Sequence, residues 1–296
     1  RAEYTDVTTK LVETNEVNPR NYTNFFPSAH LTYSLPNDNA MQVSYSRRIR
    51  RPRYNDLSPF VTYSDDRNYW SGNPDLEPEF TDAYELGHIK YFEKGSLTSS
   101  LYYRHTTGKI ERIRRVDAEG NAATRPENLS MEDAFGLEFT TAYDLMQWWK
   151  LDANFNFFRA ITDGGNLPDS YRDDFKSDTY TWFTRLATRF VFWKNTDLQL
   201  RGNYEAKMQT PQGYRKPNYF LDVAISKDIL KNNGTLTLNV SDLFNTRRHR
   251  FVSEGETFYT YNDFQWRRRQ VNLTFSYRLH QQKKKGKPAM EEGSDF

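Results

Sequence analysis

Residues 270–279 read Gln-Val-Asn-Leu-Thr-Phe-Ser-Tyr-Arg-Leu, and this stretch decides the fold class. Successive side chains of an extended strand point to opposite faces. One face therefore carries Val271, Leu273, Phe275, Tyr277 and Leu279, and the other face carries the alternating polar residues. A strand with one apolar face needs either a second sheet or lipid against that face.

The same alternation recurs along most of the chain and predicts about twelve such strands. Candidate outward apolar rows are 29/31/33/35, 41/43/45, 97/101/103, 135/137/139/143, 151/153/155/157, 186/190/192, 198/200/204, 221/223/225 and 236/238/240. In the strand at 80–92, Tyr84 and Leu86 share a face with His88, which predicts a β-bulge there. Burying one apolar side chain contributes about 1.5–3 kcal/mol, so these rows are not left in water.

Composition indicates that lipid, rather than a second sheet, covers the apolar face of the strands. Hydrophobic residues make up 36% of the 296 residues and the mean hydropathy is −0.91, which is poor for a soluble domain with a large core. Aromatic residues nevertheless make up 16%, as in membrane barrels, whose interiors are polar and whose interfaces carry aromatic girdles. No apolar run approaches the roughly 18 residues of a membrane helix, so a spanning structure has to be a closed barrel.

Charge and motifs exclude several function classes. The formal charge is +2, so the chain lacks the basic footprint of a nucleic-acid-binding protein. Cys is absent, which excludes disulfides and thiolate chemistry. Neither a G-x-S-x-G elbow nor a phosphate-binding P-loop occurs, so we predict no enzyme activity and no cofactor.

Short and long connections alternate, as in barrels with short periplasmic turns and longer outer loops. Tight connections rich in Asn, Gly or Asp are predicted at 35–39, 92–96, 144–147, 193–196 and 231–234. Longer polar loops are predicted at about 9–24, 50–79, 117–128, 161–177, 208–216 and 245–262. Residues 1–8 already resemble the middle of a strand, so the chain is expected to be a fragment. We predict a barrel domain over 1–280 and a charged, disordered periplasmic tail over 281–296.

The loop after the strand at 38–50 contains the run GNPDLEPEFTDAYELG, from Gly72 to Gly87. With Arg47, Arg48, Arg51 and Pro52 before it, this run resembles the barrel of TonB-dependent outer-membrane receptors. Among such barrels, the chain most resembles those of the outer membrane protein beta-barrel family of Bacteroidetes-type bacteria. Further matching elements are Gly136-Leu-Glu, Trp148-Trp149, Asp242-Leu-Phe-Asn245 and the closing residues 275–279.

The resemblance implies an all-β, antiparallel transmembrane β-barrel in the outer membrane of a Gram-negative cell. The chain would supply about 12 C-terminal strands of a barrel of roughly 22, with the plug domain absent. It implies uptake of a large nutrient such as a siderophore, glycan or peptide. The implied partners are outer-membrane lipid, the TonB complex through a missing N-terminal region and a surface lipoprotein; nucleic acid is not among them.

Within the motif, the residues expected to form a structural element of the barrel rim are Gly72, Asn73, Pro74, Leu76, Pro78, Glu79, Glu85, Leu86 and Gly87. Gly72 permits a turn, and the prolines fix φ and remove donors. Candidate ligand-facing residues are Arg47, Arg48, Arg51 and Trp70. For the arginine cluster, binding of an anion or of lipopolysaccharide phosphate competes with pairing to carboxylates inside the barrel, and the second interpretation is favoured. This cluster consists of Arg47, Arg48, Arg50, Arg51 and Arg53.

Metal binding is the weaker interpretation of the remaining candidates. The five His, at 30, 88, 105, 249 and 280, lack metal-ligand spacing and are interpreted as rim or lumen residues. Asp163, Asp169, Asp173 and Asp174 could hold Ca²⁺, but a solvated acidic loop is favoured.

Three functions stay open at the level of sequence. The leading hypothesis is a TonB-dependent transport or receptor barrel. The first alternative is a non-transporting outer-membrane barrel that acts as a structural or assembly partner. The second alternative is a soluble β carbohydrate-binding module.

Overall fold

The structure, a computed structural model, describes residues 1–10, 15, 17–165, 175–193, 195–255 and 258–279. The strands are β1 (Ala2–Lys10), β2 (Val17–Phe25), β3 (Ser28–Leu35), β4 (Asn39–Arg50), β5 (Val61–Tyr63), β6 (Asn68–Ser71), β7 (Glu79–Phe92), β8 (Gly95–Val116), β9 (Ala122–Met146), β10 (Trp149–Asp163), β11 (Lys176–Phe192), β12 (Thr196–Glu205), β13 (Met208–Thr210), β14 (Gly213–Arg215), β15 (Asn218–Ile229), β16 (Gly234–Ser241), β17 (His249–Gly255), β18 (Phe258–Phe264) and β19 (Gln270–Tyr277). Helix α1 (Tyr54–Leu57) and a 3-10 turn (Leu230–Asn232) complete the elements. The described residues contain no helix of the length and apolarity that crossing a bilayer requires.

Eleven strands form one antiparallel wall in the order β3-β4-β7-β8-β9-β10-β11-β12-β15-β16-β19. The five predicted tight connections join β3 to β4, β7 to β8, β9 to β10, β11 to β12 and β15 to β16. Because the strands alternate in direction, these connections share one edge of the wall, the short-turn end, and the long connections share the other, the loop end. The all-β, antiparallel prediction is confirmed, and the wall is an open sheet with β3 and β19 at its two edges.

Several predicted details differ from the structure, since the predicted loops 50–79, 208–216 and 245–262 contain the short strands β5, β6, β13, β14 and β17 and most of β18. Residues 17–25, predicted as loop, form β2, which pairs with β1 as a separate two-stranded sheet. Strand β9 begins at Ala122, inside the predicted loop 117–128. Both stretches are polar on both faces, so they lack the alternation that marks a half-buried strand, and backbone pairing alone makes them strands. The predicted bulge in β7 is absent, because β7 pairs with β4 and β8 without a register shift.

The apolar rows are exposed along the wall. Leu31 and Leu273 each expose 68% of their surface, and Leu137 exposes 45%. Within the described part of the chain no second sheet pairs with or covers this face, and the core cluster is confined to Ile113, Leu129 and Phe175 near the loop end. The wall therefore presents an apolar outer face and a polar inner face, as the strand pattern predicts.

Hydroxyl groups on the outer face are satisfied within the wall. Thr141, Thr184 and Thr188 lie on the outward rows, and their hydroxyls donate to the carbonyl oxygens of Ser96, Asn154 and Lys150 at 2.9–3.0 Å. Hydrocarbon offers no hydrogen-bond partner, so a polar group on such a face has to be satisfied by the protein. This arrangement suits a face covered by lipid.

Two aromatic rows border the apolar band. Toward the loop end, Tyr103 packs on Phe135 with ring centroids 4.8 Å apart and Trp182 packs on Tyr204 at 4.6 Å. Toward the short-turn end, aromatic rings from β10 and β11 pack together (Trp148, Trp149, Phe190 and Phe192). From Trp182 to Phe190 the strand advances about 26 Å, or about 20 Å along the membrane normal at a 40° tilt. The two rows thus have roughly the spacing of the aromatic girdles of a membrane barrel.

Pairs of a basic and an acidic side chain lie on the outer face just beyond the loop-end girdle. They are Arg47–Asp82 at 3.4 Å, His105–Asp133 at 2.7 Å and Arg159–Asp178 at 2.5 Å. Tyr45 and Tyr103 of the girdle donate their hydroxyls to Asp82 and Asp133. This charged belt marks the level at which the outer face leaves the apolar band.

Candidate functional site

A cavity of about 510 Å³ lies on the inner side of the wall at the loop end, and we call it the mouth cavity. Its floor is the inward row of the wall, which includes Phe158, Phe183 and Glu205. Its sides are Glu111 and Ile113 of β8, which runs beyond the charged belt, together with the β13–β14 hairpin and β17. Elements distant in sequence therefore meet around one concave space.

The β13–β14 hairpin is fastened at its tip and its base. At the tip, the buried amide of Gln212 accepts from the backbone N–H of Arg114 and donates to its carbonyl, both at 2.8 Å. At the base, the N–H of Gln209 donates to the Thr179 hydroxyl of β11 at 3.1 Å. Strand β14 also pairs with β17, which continues into β18. The hairpin thus crosses the inner side of the wall from β11 to β8.

Gly213 follows the tip and requires a glycine. Its φ is +118°, a conformation that other residues rarely adopt. A Cβ at this position would stand 2.3 Å from the carbonyl oxygen of Val252. The close approach of β14 to β17 depends on this position having no side chain.

The lining of the mouth cavity is predominantly basic. Its charged or titratable residues are Arg112, Arg215, Lys216, Arg248, His249 and Arg250, against Glu111 and Glu205. Arg248 is paired with Asp263 at 3.1 Å. Arg250 donates to the Pro217 carbonyl at 2.8 Å, and the Lys216 ammonium lies 4.5 Å from the centre of the Tyr261 ring.

Glu111 is the acidic residue among these cations. Burial raises the pKa of the Glu111 carboxyl above its ordinary value, while the nearby Arg215 and Lys109 oppose that shift. Two further carboxyls, Glu132 and Glu79, add to it. Glu111 therefore holds its proton to higher pH than an exposed glutamate.

The motif residues Gly72, Asn73, Pro74, Leu76, Pro78 and Glu79 lie at the loop end, between α1 and the extended β8–β9 hairpin. A Cβ on Gly72 would stand 2.3 Å from the Ser58 carbonyl oxygen. The buried Asn73 amide donates to the Pro126 carbonyl at 3.0 Å and to Glu127 at 2.9 Å, and it accepts from Arg125 at 2.6 Å.

Leu76 and Glu79 of the motif are also buried, with Leu76 only 1% exposed. The Glu79 carboxylate pairs with Arg50 at 3.0 Å and accepts from the backbone N–H of Ile110 at 2.6 Å. Of the motif's last three residues, Glu85 and Gly87 lie on the inner face of β7 and Leu86 on its outer face. The motif from Gly72 to Glu79 is thus part of the packed loop end, whereas Glu85, Leu86 and Gly87 belong to the wall, and none of the motif residues lines the mouth cavity.

The four candidate ligand-facing residues are not brought together. Arg47 lies on the outer face in the charged belt, over the ring of Phe80, and so points away from the lumen. Arg48 has the inward register of β4, and Arg51 pairs with Glu3 at 2.6 Å. Trp70 lies in β6, and its buried indole N–H has no partner among the described residues. The inward carboxylate pairing favoured for the arginine cluster occurs at Arg50, a member of that cluster, which pairs with Glu79 at 3.0 Å. A ligand role for the four candidates stays a prediction.

The described residues hold no group of three or more His, Asp or Glu placed to bind a metal. His88 contacts Asn39 at 3.1 Å and His30 contacts Thr32 at 3.1 Å, whereas His249 lines the mouth cavity. Of the acidic loop, Asp163 accepts from the N–H of Gly165; its predicted companions at 169, 173 and 174, and His280, lie outside the described residues.

Sequence reasoning missed Glu111, Gln212 and Arg215, which carry the geometry of the mouth cavity. The one local signal was the Gln212-Gly213 pair, which marks a hairpin tip in the predicted loop 208–216. No local signal connects that tip with Arg114, which is about a hundred residues earlier.

Comparison with models of protein families matches the chain to the outer membrane protein beta-barrel family over residues 1–277. A search of curated proteins finds no match. Among solved structures, the ferric yersiniabactin uptake receptor FyuA from Yersinia pestis is similar with a TM-score of 0.58 and 16% identity, over 93% of this chain and 40% of that chain. The siderophore receptor PirA from Pseudomonas aeruginosa has a TM-score of 0.54 and 16% identity, over 76% and 40%. The copper transporter OprC has a TM-score of 0.56 and 14% identity, over 88% and 40%.

The chain thus spans about two fifths of the length of these solved structures. At such low identity the likeness shows a common fold. The match agrees with the apolar outer face, the two aromatic rows and the alternation of short turns and long loops.

Proposed function

The chain belongs to the outer membrane protein beta-barrel family and lies in the cell outer membrane, and on this premise we propose that it forms the wall of a TonB-dependent receptor that imports a large nutrient. The mouth cavity carries the proposal. It opens on the inner side of the wall, where a substrate would enter, and its 510 Å³ falls in the range of about 300–1,000 Å³ typical of ligand pockets.

The fastened hairpin supports a binding role for this cavity. Gln212 at the tip and Gln209 at the base fix the hairpin over the wall, so the cavity is largely formed before a ligand arrives. A preformed pocket loses less conformational entropy on binding than a flexible loop does. We infer that the chain is not an enzyme, since its solved neighbours are named as receptors and a transporter.

The partners in this proposal are those expected from the sequence. The TonB complex would contact the receptor through an N-terminal region, outer-membrane lipid covers the outer face, and a surface lipoprotein would meet the loop end. The substrate would be a siderophore, a glycan or a peptide, and the names of the solved neighbours favour a metal complex.

The motif segment from Gly72 to Glu79 has a supporting role in the proposal. We infer that it clamps the loop 51–79 to the extended β8–β9 hairpin, since Asn73 and Glu79 each make side-chain hydrogen bonds to that hairpin. The hairpin in turn supplies Glu111 and Ile113 to the mouth cavity. The motif would therefore act on binding indirectly, by holding this side of the cavity.

Uptake in the native cell tests the proposal. Cells that depend on this receptor are given candidate nutrients, and cell-associated nutrient is measured with and without a protonophore. We expect uptake that disappears on deletion of the gene and on collapse of the proton-motive force. Surface binding that survives the protonophore without accumulation would favour the non-transporting alternative, as would co-purification of a surface lipoprotein with no nutrient dependence.

A further inference from the structure

We propose that the mouth cavity selects an anionic ligand, one bearing carboxylate or phosphate groups, and binds it through Arg215, Lys216 and Arg250. This inference rests on the proposed function, because it takes the mouth cavity as the place where substrate binds. It narrows the open choice among siderophore, glycan and peptide to molecules with clustered negative charge.

The charge balance of the lining points in this direction. Five Arg or Lys side chains line the cavity against two Glu, and burial keeps one of these, Glu111, protonated to higher pH. Within the described part of the chain, neither Arg215 nor Lys216 has an ion-pair partner within 4 Å. Arg112 and Arg248 are paired with Asp56 and Asp263, and Arg215 lies near enough to Glu111 to interact with it. A concave site in which cations outnumber carboxylates in this way favours an anion over a neutral ligand.

The three cations are neighbours on one side of the cavity. Arg215 is the Cα partner of Phe251, the residue after Arg250, and the N–H of Lys216 donates to the Arg250 carbonyl at 2.8 Å. The Pro217 carbonyl accepts from one nitrogen of the Arg250 guanidinium and so fixes its orientation. A planar guanidinium held in one orientation matches the paired oxygens of a carboxylate or phosphate.

The rest of the cavity suits an organic body attached to the charged groups. Phe158 and Phe183 offer aromatic surface from the wall, opposite the cationic side. The Arg185 guanidinium lies 5.2 Å from the centre of the Phe183 ring. A cavity of 510 Å³ has room for a molecule larger than a single phosphate or carboxylate, so a ligand with several anionic groups fits it.

The test is calorimetric titration of the full-length receptor in detergent with three probes: citrate for carboxylates, inositol hexakisphosphate for phosphates and maltohexaose as a neutral oligosaccharide. The variants are Arg215→Ala and Arg215→Lys. The matched control is Arg67→Ala, which removes an exposed arginine from the loop end away from the cavity. Heat-modifiable migration on a gel checks that each variant folds.

We expect one or both anions to bind and maltohexaose not to bind. Arg215→Ala should weaken the anion roughly 10- to 100-fold, Arg215→Lys less, and Arg67→Ala by less than about twofold. The two anion arms distinguish a carboxylate ligand from a phosphate ligand. The inference is overturned if maltohexaose binds more tightly than both anions, if neither anion binds at millimolar concentration, or if Arg215→Ala and Arg67→Ala weaken binding equally.

This outcome is separable from that of the proposed function. Suppose that anion binding depends on Arg215 and that uptake is the same with and without the protonophore. This result would uphold the anionic ligand class and reject energy-coupled import. Protonophore-sensitive uptake of a neutral nutrient would uphold energy-coupled import and reject the anionic ligand class.

Discussion

At the scale of single residues, side chains cap backbone groups that the sheet leaves unpaired. Strand β7 pairs with β8 only as far as Thr107, so beyond that residue β8 has a free edge on that side. Glu79 accepts from the N–H of Ile110 on this edge, and Gln212 binds both the N–H and the carbonyl of Arg114. Capping satisfies buried backbone groups and blocks edge-to-edge association.

Gly72→Ala should loosen the motif segment without unfolding the wall. The added Cβ would stand 2.3–2.8 Å from backbone atoms of Ser58 and Asn55, and these atoms cannot rotate away. Overpacking of this kind costs about 1–3 kcal/mol. We expect tryptic cleavage in the loop 51–79 to accelerate roughly 5- to 100-fold, since cleavage follows the population of the open form. Gly202→Ala is the control, because nothing lies within 4 Å of its Cβ.

Glu111→Gln should change how the stability of the loop end depends on pH. The raised pKa of Glu111 means that the folded protein holds this proton more tightly than the unfolded chain does. The stabilisation that comes from the protonated Glu111 carboxyl is therefore present at low pH and is lost as pH rises through the raised pKa. We expect thermal unfolding of wild type and variant to be similar near pH 4 and the variant to be relatively more stable at pH 8. A difference that shrinks as pH rises would contradict this reading.

At the scale of the strand, the alternation of faces decides where charge is tolerated. Leu186 lies on the outer face of β11, midway between the girdle residues Trp182 and Phe190. Leu186→Arg should lower the free energy of unfolding by about 2–4 kcal/mol, the cost of an arginine at the bilayer midplane. Denaturant titration in liposomes measures this quantity. The control is Ala187→Arg on the inner face, where Asp152 is the cross-strand partner, and we expect a change of under about 1 kcal/mol.

Gln212→Leu should release the hairpin tip from β8. The variant leaves the N–H and carbonyl of Arg114 without their partners, and a buried unsatisfied group costs about 1–3 kcal/mol. Hydrogen–deuterium exchange over residues 208–216 should therefore accelerate at least about fivefold. Gln209→Leu should not reproduce the effect, because the backbone N–H of Gln209 makes the contact to Thr179. Equal exchange in both variants would show that the tip contact does not hold the hairpin.

The strands of the wall could be predicted from sequence because one face meets lipid and the other does not. Apolar and polar residues therefore alternate along each strand, as in 270–279. The connections could not be predicted so well. Residues 122–128 and 17–25 have water or protein on both faces, so no alternation marks them as strands. The mouth cavity depends on the contact between Gln212 and Arg114, and no local sequence pattern indicates a contact between residues about a hundred positions apart.

At the scale of the whole molecule, the wall ends in β3 and β19, and each has one hydrogen-bonded neighbour among the described strands. Both edges carry unpaired backbone groups, which in hydrocarbon cost several kcal/mol each. The family, the outer membrane location and the antiparallel β architecture could be predicted from the sequence, whereas closure of the barrel could not, because it depends on what pairs with β3 and β19.

This chain expressed without further strands should self-associate. Exposed edges pair with other edges, so we expect light scattering in detergent to show species larger than one chain. The full-length receptor is the control and should elute as a single barrel. A stable monomer of the present chain, with intact strand content, would show that its edges close on each other.

The β8–β9 hairpin extends beyond the charged belt, so its turn can be contacted by large particles outside the cell. From Gly108 to its turn at 117–121 the hairpin extends about 30 Å along its axis, at about 3.3 Å per residue, on the side of the wall where the long connections lie. Antibodies and bacteriophages that approach the loop end would meet this turn together with Arg67, whose carbonyl accepts from the N–H of Ala122 beside it. The turn could then vary in composition under immune or viral pressure while the transmembrane rows stay unchanged.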